Sequence, residues 1–173
     1  MESAKQQVIS GVFFTAIAKY ANLIISLGIT AVLARLLSPE QFGVIAIAMV
    51  IIAFLNLIAD IGLFPAVIQY KNLTNDELGN LFSISCYLGG FLALMLVLIA
   101  PKIAQYYDQP ILQNIIRLLA LGLFFTASSV VPNALFYRER MFKFIAIRSF
   151  IIQIILGAVS ITAAFSGAGI YAL

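Results

Sequence analysis

Long apolar segments set the strongest limit on how this chain can fold. Each is about 20 to 27 residues long, enough for a helix to cross the hydrocarbon core of a bilayer. With a hydrophobic fraction of 63% and a charged fraction of 10%, the composition is far more apolar than that of a soluble domain. We therefore predict an all-α fold, a polytopic membrane helix bundle with five spans at 11–36, 42–68, 81–100, 115–136 and 144–165.

The residue types that are missing exclude several classes of function. The chain has no histidine, which removes histidine-based acid–base catalysis, histidine proton relays and the usual zinc sites. Its one cysteine, Cys86, cannot form an intrachain disulfide. We find no Walker loop, no Asp-x-Asp pair and no nucleophile beside a base. We therefore expect no catalytic residues, no metal, no cofactor and no enzyme activity.

The loops predict where helices begin and how the chain is oriented. The segments 38–41 and 74–77 read as N-terminal caps of the second and third spans. With a cytoplasmic N-terminus, six basic residues fall on the cytoplasmic side and three on the outer side, which favours this orientation. The six are Lys5, Lys71, Arg138, Arg140, Lys143 and Arg148, and the three are Arg35, Lys102 and Arg117. A net charge of +3 placed this way indicates topology and lipid contact, and no nucleic acid partner.

The first span carries a polar stripe with a cation near its middle. Thr15, Lys19, Asn22, Ser26 and Thr30 recur every three or four residues and so share one helix face. An ammonium group at membrane depth costs a few kcal/mol or more, and such groups usually face a bundle interior or a wet cavity. The stripe is typical of a helix that lines a path for a polar or anionic solute.

Asp60 in the second span is a candidate partner for Lys19. At about 1.5 Å per residue, Lys19 lies about 16 Å and Asp60 about 12 Å from the cytoplasmic ends of their spans. Two interpretations stay open: a neutralising bridge between the first two helices, or groups that face a solute path. Arg35 can contact lipid headgroups or draw an anion to the outer mouth. Small polar residues in the later spans indicate helix packing, and the large amide Gln153 is the exception.

Several segments resemble the polysaccharide transporter family of the multidrug/oligosaccharidyl-lipid/polysaccharide flippase superfamily. The resemblance covers essentially the whole chain and depends on the order and spacing of its motifs. These are LARLLSPEQFG at 33–43, ADIGL at 59–63, AVIQ at 66–69, VPNAL at 131–135, RERMFK at 138–143 and GAGIYAL at 167–173.

The resemblance implies a longer parent protein with 12 to 14 helices in two lobes, in which residues 1–173 are most of the N-terminal lobe. A sixth span that stops after seven residues agrees with a piece of a longer chain. The resemblance also implies a flippase in the bacterial cytoplasmic (inner) membrane that moves an undecaprenyl-pyrophosphate-linked oligosaccharide by alternating access. The expected partners are this substrate, membrane lipids, a coupling ion (proton or sodium) and a polysaccharide polymerase.

On this hypothesis Lys19 attracts the pyrophosphate. Asn22, Ser26 and Gln153 form hydrogen bonds with the sugars. Asp60 neutralises Lys19 in the empty cavity or binds the coupling ion. One alternative is a drug or metabolite extruder of the same superfamily. Alternatives from other classes are a membrane-embedded glycosyltransferase or acyltransferase, and a scaffold that transports nothing.

Overall fold

The computed structural model describes residues 2–60, 62–70 and 73–172, with side chains from residue 16 onward except residue 18. The predictions for the side chains of Lys5 and Thr15, and for Lys71, lie outside the described residues. Within these ranges every regular element is helical and no strand occurs. The elements are α1 (Glu2–Leu36), α2 (Pro39–Asp60), α3 (Leu63–Gln69), α4 (Asn75–Tyr106), α5 (Pro110–Ser128), α6 (Val130–Arg138), α7 (Phe142–Phe165) and a 3₁₀ helix (Gly169–Ala172).

Five stretches of the described chain are long and apolar enough to cross a membrane. The second consists of α2 with α3, and the fourth of α5 with α6. The prediction of an all-α, multi-pass membrane protein with five spans is therefore confirmed. The stretches are Lys19–Leu36, Pro39–Gln69, Asn75–Tyr106, Pro110–Arg138 and Phe142–Phe165.

Both predicted helix starts are present, and their caps supply the missing backbone partners. Before α4, the N–H of Glu77 donates to Thr74 Oγ1 at 3.3 Å, and the N–H of Thr74 donates to Glu77 Oε2 at 2.7 Å. Before α2, the N–H of Ser38 donates to Gln41 Oε1 at 3.0 Å, and the N–H of Gln41 donates to Ser38 Oγ at 3.4 Å. In both cases donors that the first helical turn leaves free are satisfied locally.

The second and fourth spans are each divided into two helices near their ends, where the sequence predicted single spans. Between α2 and α3, Gly62 adopts a left-handed conformation with φ of 75°, and Pro65 is the third residue of α3. Between α5 and α6 lies Ser129, and Pro132 is the third residue of α6. Proline has no N–H and its ring collides with the carbonyl four residues earlier, so each helix restarts just before it.

The chain forms two compact units, which we describe separately. The first combines Met1–Phe42 with Glu139–Leu173 and contains α1, α7 and the 3₁₀ helix; the second is Gly43–Arg138. In the second unit the two short helices after the breaks pack together through Val67, Val131 and Ala134. The rings of Phe64 and Tyr137 meet edge to face there, with centroids 5.3 Å apart.

The closest approach between α4 and α5 depends on a glycine. Gly89 is buried, and a Cβ atom on it would lie 2.5 Å from Ala127 Cβ and 3.5 Å from the carbonyl oxygen of Phe124. No flexible side chain stands there to move aside. Small residues at such positions let membrane helices approach, because lipid supplies no hydrophobic force to press them together.

We predict that Gly89→Ala lowers the free energy of unfolding in detergent by about 1–3 kcal/mol, through overpacking between α4 and α5. Gly79→Ala on the same helix is the matched control, since nothing lies within 4 Å of its added Cβ. The control should be neutral or stabilising by up to about 1 kcal/mol, because alanine favours a helix more than glycine does. Equal effects of the two substitutions on unfolding would contradict this account of the packing.

Candidate functional site

A polar groove runs along the first unit where α1 packs against α7. Its volume is about 410 Å³. Two of its lining residues contact each other: the side chain of Ile29 packs against Gly157, a buried residue of α7. Because Gly157 has no side chain, the two helices approach closely and larger polar residues flank the contact. The side chains that can form hydrogen bonds along the groove are those of Ser26, Thr30, Gln153, Ser160 and Tyr171.

Helical spacing explains why these residues meet. Gln153, Gly157 and Ser160 follow one another at four and three residues and so lie on one face of α7. Ser26 and Thr30 are one turn apart on α1. The structure thus places two of the predicted sugar-binding residues, Ser26 and Gln153, in the same groove. Their role in binding stays a prediction.

Asn22 lies one turn before Ser26 and is half-buried. Its side-chain oxygen, Oδ1, is buried and has no hydrogen-bond partner among the described residues. A buried acceptor left without a donor costs about 1–3 kcal/mol. The oxygen of Asn22 can therefore accept a hydrogen bond from a ligand hydroxyl or a water molecule. Asn22 lies on α1, the helix that forms one side of the groove.

The two predicted cations of α1 lie outside this lining. Lys19 is exposed, about one turn before Asn22, and Arg35 is exposed in the last turn of the helix. The groove is lined by neither of them. Their proposed contacts with an anionic group stay predictions.

The second unit holds a smaller pocket at the two helix breaks, with both polar and apolar residues in its lining. Its volume is about 210 Å³, and the residues that line it come from both sides of both breaks. Those before the first break are Asn56, Ala59 and Asp60, and Phe64 follows it; those of the fourth span are Thr126, Ala127, Val130 and Asn133. The Asn56 oxygen Oδ1 is buried there and has no hydrogen-bond partner in the described part of the chain.

Asp60 has a structural role that the sequence did not predict. Its Oδ1 accepts a hydrogen bond from the backbone N–H of Phe64 at 3.2 Å, so the carboxylate caps the start of α3 after the break. Asp60 belongs to the second unit and Lys19 to the first. The pairing of Lys19 with Asp60 therefore stays a prediction.

The comparison with known proteins decides the family. Residues 32–173 match the family model described as polysaccharide biosynthesis protein. The chain belongs to this family. The predicted resemblance to polysaccharide transporters is thereby confirmed, and the matched residues include Asp60 and Gln153. Lys19, Asn22 and Ser26 precede the matched residues.

Similar proteins are named for the biosynthesis or transport of bacterial polysaccharides. Lipopolysaccharide biosynthesis protein WzxC of Escherichia coli (strain K12) is 32% identical over 82% of this chain. Succinoglycan biosynthesis transport protein ExoT of Rhizobium meliloti (strain 1021) is 27% identical over 82% of it. The chain spans 28% of the length of the first and 29% of the second.

An uncharacterized membrane protein in the cps region of Klebsiella pneumoniae is 30% identical over 82% of this chain, which spans 28% of that protein. No solved structure matches the chain significantly.

Several residues of the two polar sites were interpreted from the sequence as packing contacts. Ser160 and Thr126 were assigned to packing lines, and Tyr171 was not singled out. Two signals could have identified them. One is the helical spacing of Gln153, Gly157 and Ser160; the other is the position of Pro65 and Pro132 a few residues after polar side chains. The sequence could not show that the side-chain oxygens of Asn22 and Asn56 are buried without a partner, because their burial depends on neighbours that are distant in sequence.

We predict that cysteines placed in the groove react with a charged, water-soluble maleimide. With Cys86 changed to serine, Ser26→Cys and Gln153→Cys should be labelled in membranes, because both positions line an open groove. Ser85→Cys is the control and should stay unlabelled, since Ser85 is fully buried. Ser166→Cys, at an exposed position, is the positive control. If it is labelled and neither groove position reacts, water does not reach the groove.

Proposed function

We propose that this chain forms part of a flippase that moves a lipid-linked oligosaccharide repeat unit, carried on undecaprenyl pyrophosphate, across the bacterial inner membrane. The observation that carries the proposal is the groove of the first unit, where hydrogen-bonding side chains of α1, the helix that holds the cation Lys19, lie beside those of α7. Family membership and relatives named for polysaccharide biosynthesis or transport support it.

The groove has the chemistry that a sugar needs. Sugar hydroxyls both donate and accept hydrogen bonds, and the groove offers hydroxyl groups, an amide and a phenol. The hydroxyl of Ser160 donates to the carbonyl oxygen of Ala172, which leaves its lone pairs as acceptors. Gln153 can donate and accept at once. Weak, distributed contacts of this kind suit a transporter that must release its substrate.

Lys19 extends this line toward the start of α1. From Lys19 to Thr30 the helix rises about 16 Å, so an elongated ligand can touch the ammonium group at one end and the groove at the other. The pyrophosphate would bind Lys19, because a diphosphate removed from water needs a compensating cation. Asn22 and Ser26 would then bind the first sugars, and Arg35 would lie near the outer mouth.

The membrane setting follows from the same assignment. The basic residues after α6 favour a cytoplasmic N-terminus, and in this proposal the lipid tail stays in the bilayer while the sugars cross. In a two-lobed transporter, one lobe rocks against the other around the bound substrate. Asp60 would neutralise Lys19 or bind the coupling ion, and a polysaccharide polymerase would receive the exported unit.

The alternatives fit the groove less well. A pump for cationic drugs needs carboxylates in its binding site, whereas the lining of this groove is neutral. A membrane-embedded transferase needs an acid–base group in its site, and the lining of this groove contains no histidine and no carboxylate. A relative named as a transport protein favours export over catalysis.

We predict that Lys19→Ala lowers polysaccharide export by at least about tenfold at an unchanged level of protein in the membrane, because a charge-assisted contact to the pyrophosphate is lost. Export is measured as surface polysaccharide in a host strain that depends on this protein. Lys19→Arg should restore most of it, and the exposed Lys102→Ala should have no effect. Normal export with Lys19→Ala would exclude the substrate-binding role.

The double exchange Lys19→Asp with Asp60→Lys separates the two interpretations of this pair. A bridge is symmetric in charge, so the exchange should restore the export that Lys19→Asp alone destroys. A cation that binds the pyrophosphate must stay on α1, and the exchange should then leave export low. Because Asp60→Lys also removes the acceptor of the Phe64 N–H, restored export in the surface polysaccharide assay is the decisive result, and it would establish the bridge. We expect no restoration.

A further inference from the structure

The contact between α1 and α7 sets the depth of the groove in the membrane. Ile29 lies seven residues before Leu36, the last residue of α1, and Gly157 lies eight residues before Phe165, the last of α7. These helices belong to the first and fifth spans, so both cross the bilayer in the same direction. Their C-terminal ends therefore lie at about the same level, on the side of the membrane opposite to the N-terminus.

The groove occupies only the half of the bilayer next to these ends. Its lining on α1 runs from Ser26 to Leu33, and its lining on α7 runs from Gln153 to Ala163. At the rise of an α-helix these residues lie about 3 to 18 Å from the C-terminal ends of their helices. Since the hydrocarbon core is about 30 Å thick, the groove extends from the middle of the bilayer to one surface. With a cytoplasmic N-terminus, which the basic residues favour, this is the outer half.

Lys19 lies in the other half of the bilayer. It stands seventeen residues before Leu36, which places it about 26 Å from the same end of α1. A group bound to Lys19 is therefore on the cytoplasmic side of the middle, and a group bound in the groove is on the outer side. A substrate that touches both must cross the middle of the membrane.

Charge determines which end of such a substrate lies in the groove. None of the described residues that line the groove is charged. A diphosphate placed there would lose its hydration without gaining a counter-charge, which costs far more than the transfer of a neutral group. The hydroxyl groups of an uncharged sugar find both donors and acceptors in the same lining. The groove therefore favours sugars, and the anionic end of the substrate belongs near Lys19.

The chain after α7 adds an aromatic side chain to the groove. Gly167 and Gly169 adopt left-handed conformations, with φ of 84° and 57°, and the 3₁₀ helix that follows places Tyr171 in the lining. Its side chain is 53% exposed. A tyrosine ring combines an apolar face with a polar tip, and a sugar ring likewise has C–H groups on its faces and hydroxyl groups at its edge. This wall suits a sugar better than a diphosphate.

We propose that the groove is a subsite for uncharged sugars in the outer half of the membrane, and that the sugars enter it while the pyrophosphate is still bound near Lys19. The inference rests on the proposed function and adds the order of crossing to it. The sugars pass the middle of the bilayer ahead of the pyrophosphate, and the groove is open to the outer side when they do.

The first test measures the side from which water reaches the groove. In the full-length protein with Cys86→Ser, a membrane-impermeant maleimide is added to right-side-out or inside-out vesicles. Ser166→Cys and Lys143→Cys, exposed near the two ends of α7, mark the outer and the cytoplasmic side. Gln153→Cys and Ala163→Cys should be labelled from the outer side and should lose this labelling when the reagent is on the cytoplasmic side. Ser26→Cys on α1 replaces Gln153→Cys if that variant does not fold.

The second test asks which part of the substrate fills the groove. The same variants are purified in detergent and labelled in the presence of undecaprenyl pyrophosphate, either bare or carrying the oligosaccharide extracted from the host strain. The complete unit should slow the labelling of Ala163→Cys by about tenfold at about ten times its Kd, and the bare carrier should not. Adding Lys19→Ala should raise the concentration needed for protection by about tenfold, because the pyrophosphate contact is lost. Labelling of Ser166→Cys should not change.

Several results would overturn the inference. Labelling of the groove from the cytoplasmic side alone would place it in the wrong half, and so would labelling of Ser166→Cys from that side. Equal protection by the bare carrier would put the pyrophosphate in the groove, and no protection by the complete unit would remove the groove from the substrate path. If export still depends on Lys19, the proposed function survives each of these results. Normal export with Lys19→Ala is the separate finding that excludes its substrate-binding role.

Discussion

A backbone N–H or C=O group in the hydrocarbon core of a bilayer finds no water, and this constraint governs both units of the protein. It explains why every described element is a helix and why both predicted helix starts carry side-chain caps. It also explains the cost of Pro65 and Pro132, since each withdraws a donor inside an apolar span. Where a helix is interrupted at membrane depth, something else must satisfy the backbone, and here polar side chains gather at the interruptions.

The two polar regions use different means to remain compatible with an apolar surrounding. In the pocket at the breaks, Asp60 binds the N–H of Phe64, so a costly charge also stabilises the start of α3. In the groove between α1 and α7, the hydrogen-bonding groups are neutral, and a glycine contact brings the helices close enough to place them side by side. The groove thus presents neutral hydrogen-bonding groups, whereas the pocket at the breaks contains the charged carboxylate of Asp60.

The sequence predicted the spans and the helix starts because these depend on length, hydropathy and local capping, which act over a few neighbouring residues. It did not predict the breaks before Pro65 and Pro132, since the left-handed turn at Gly62 depends on the three-dimensional path of the chain. It found Ser26 and Gln153 because polar residues stand out in apolar helices. It could not bring Thr126 and Asn56 into one pocket, because residues distant in sequence meet there only once the helices have packed.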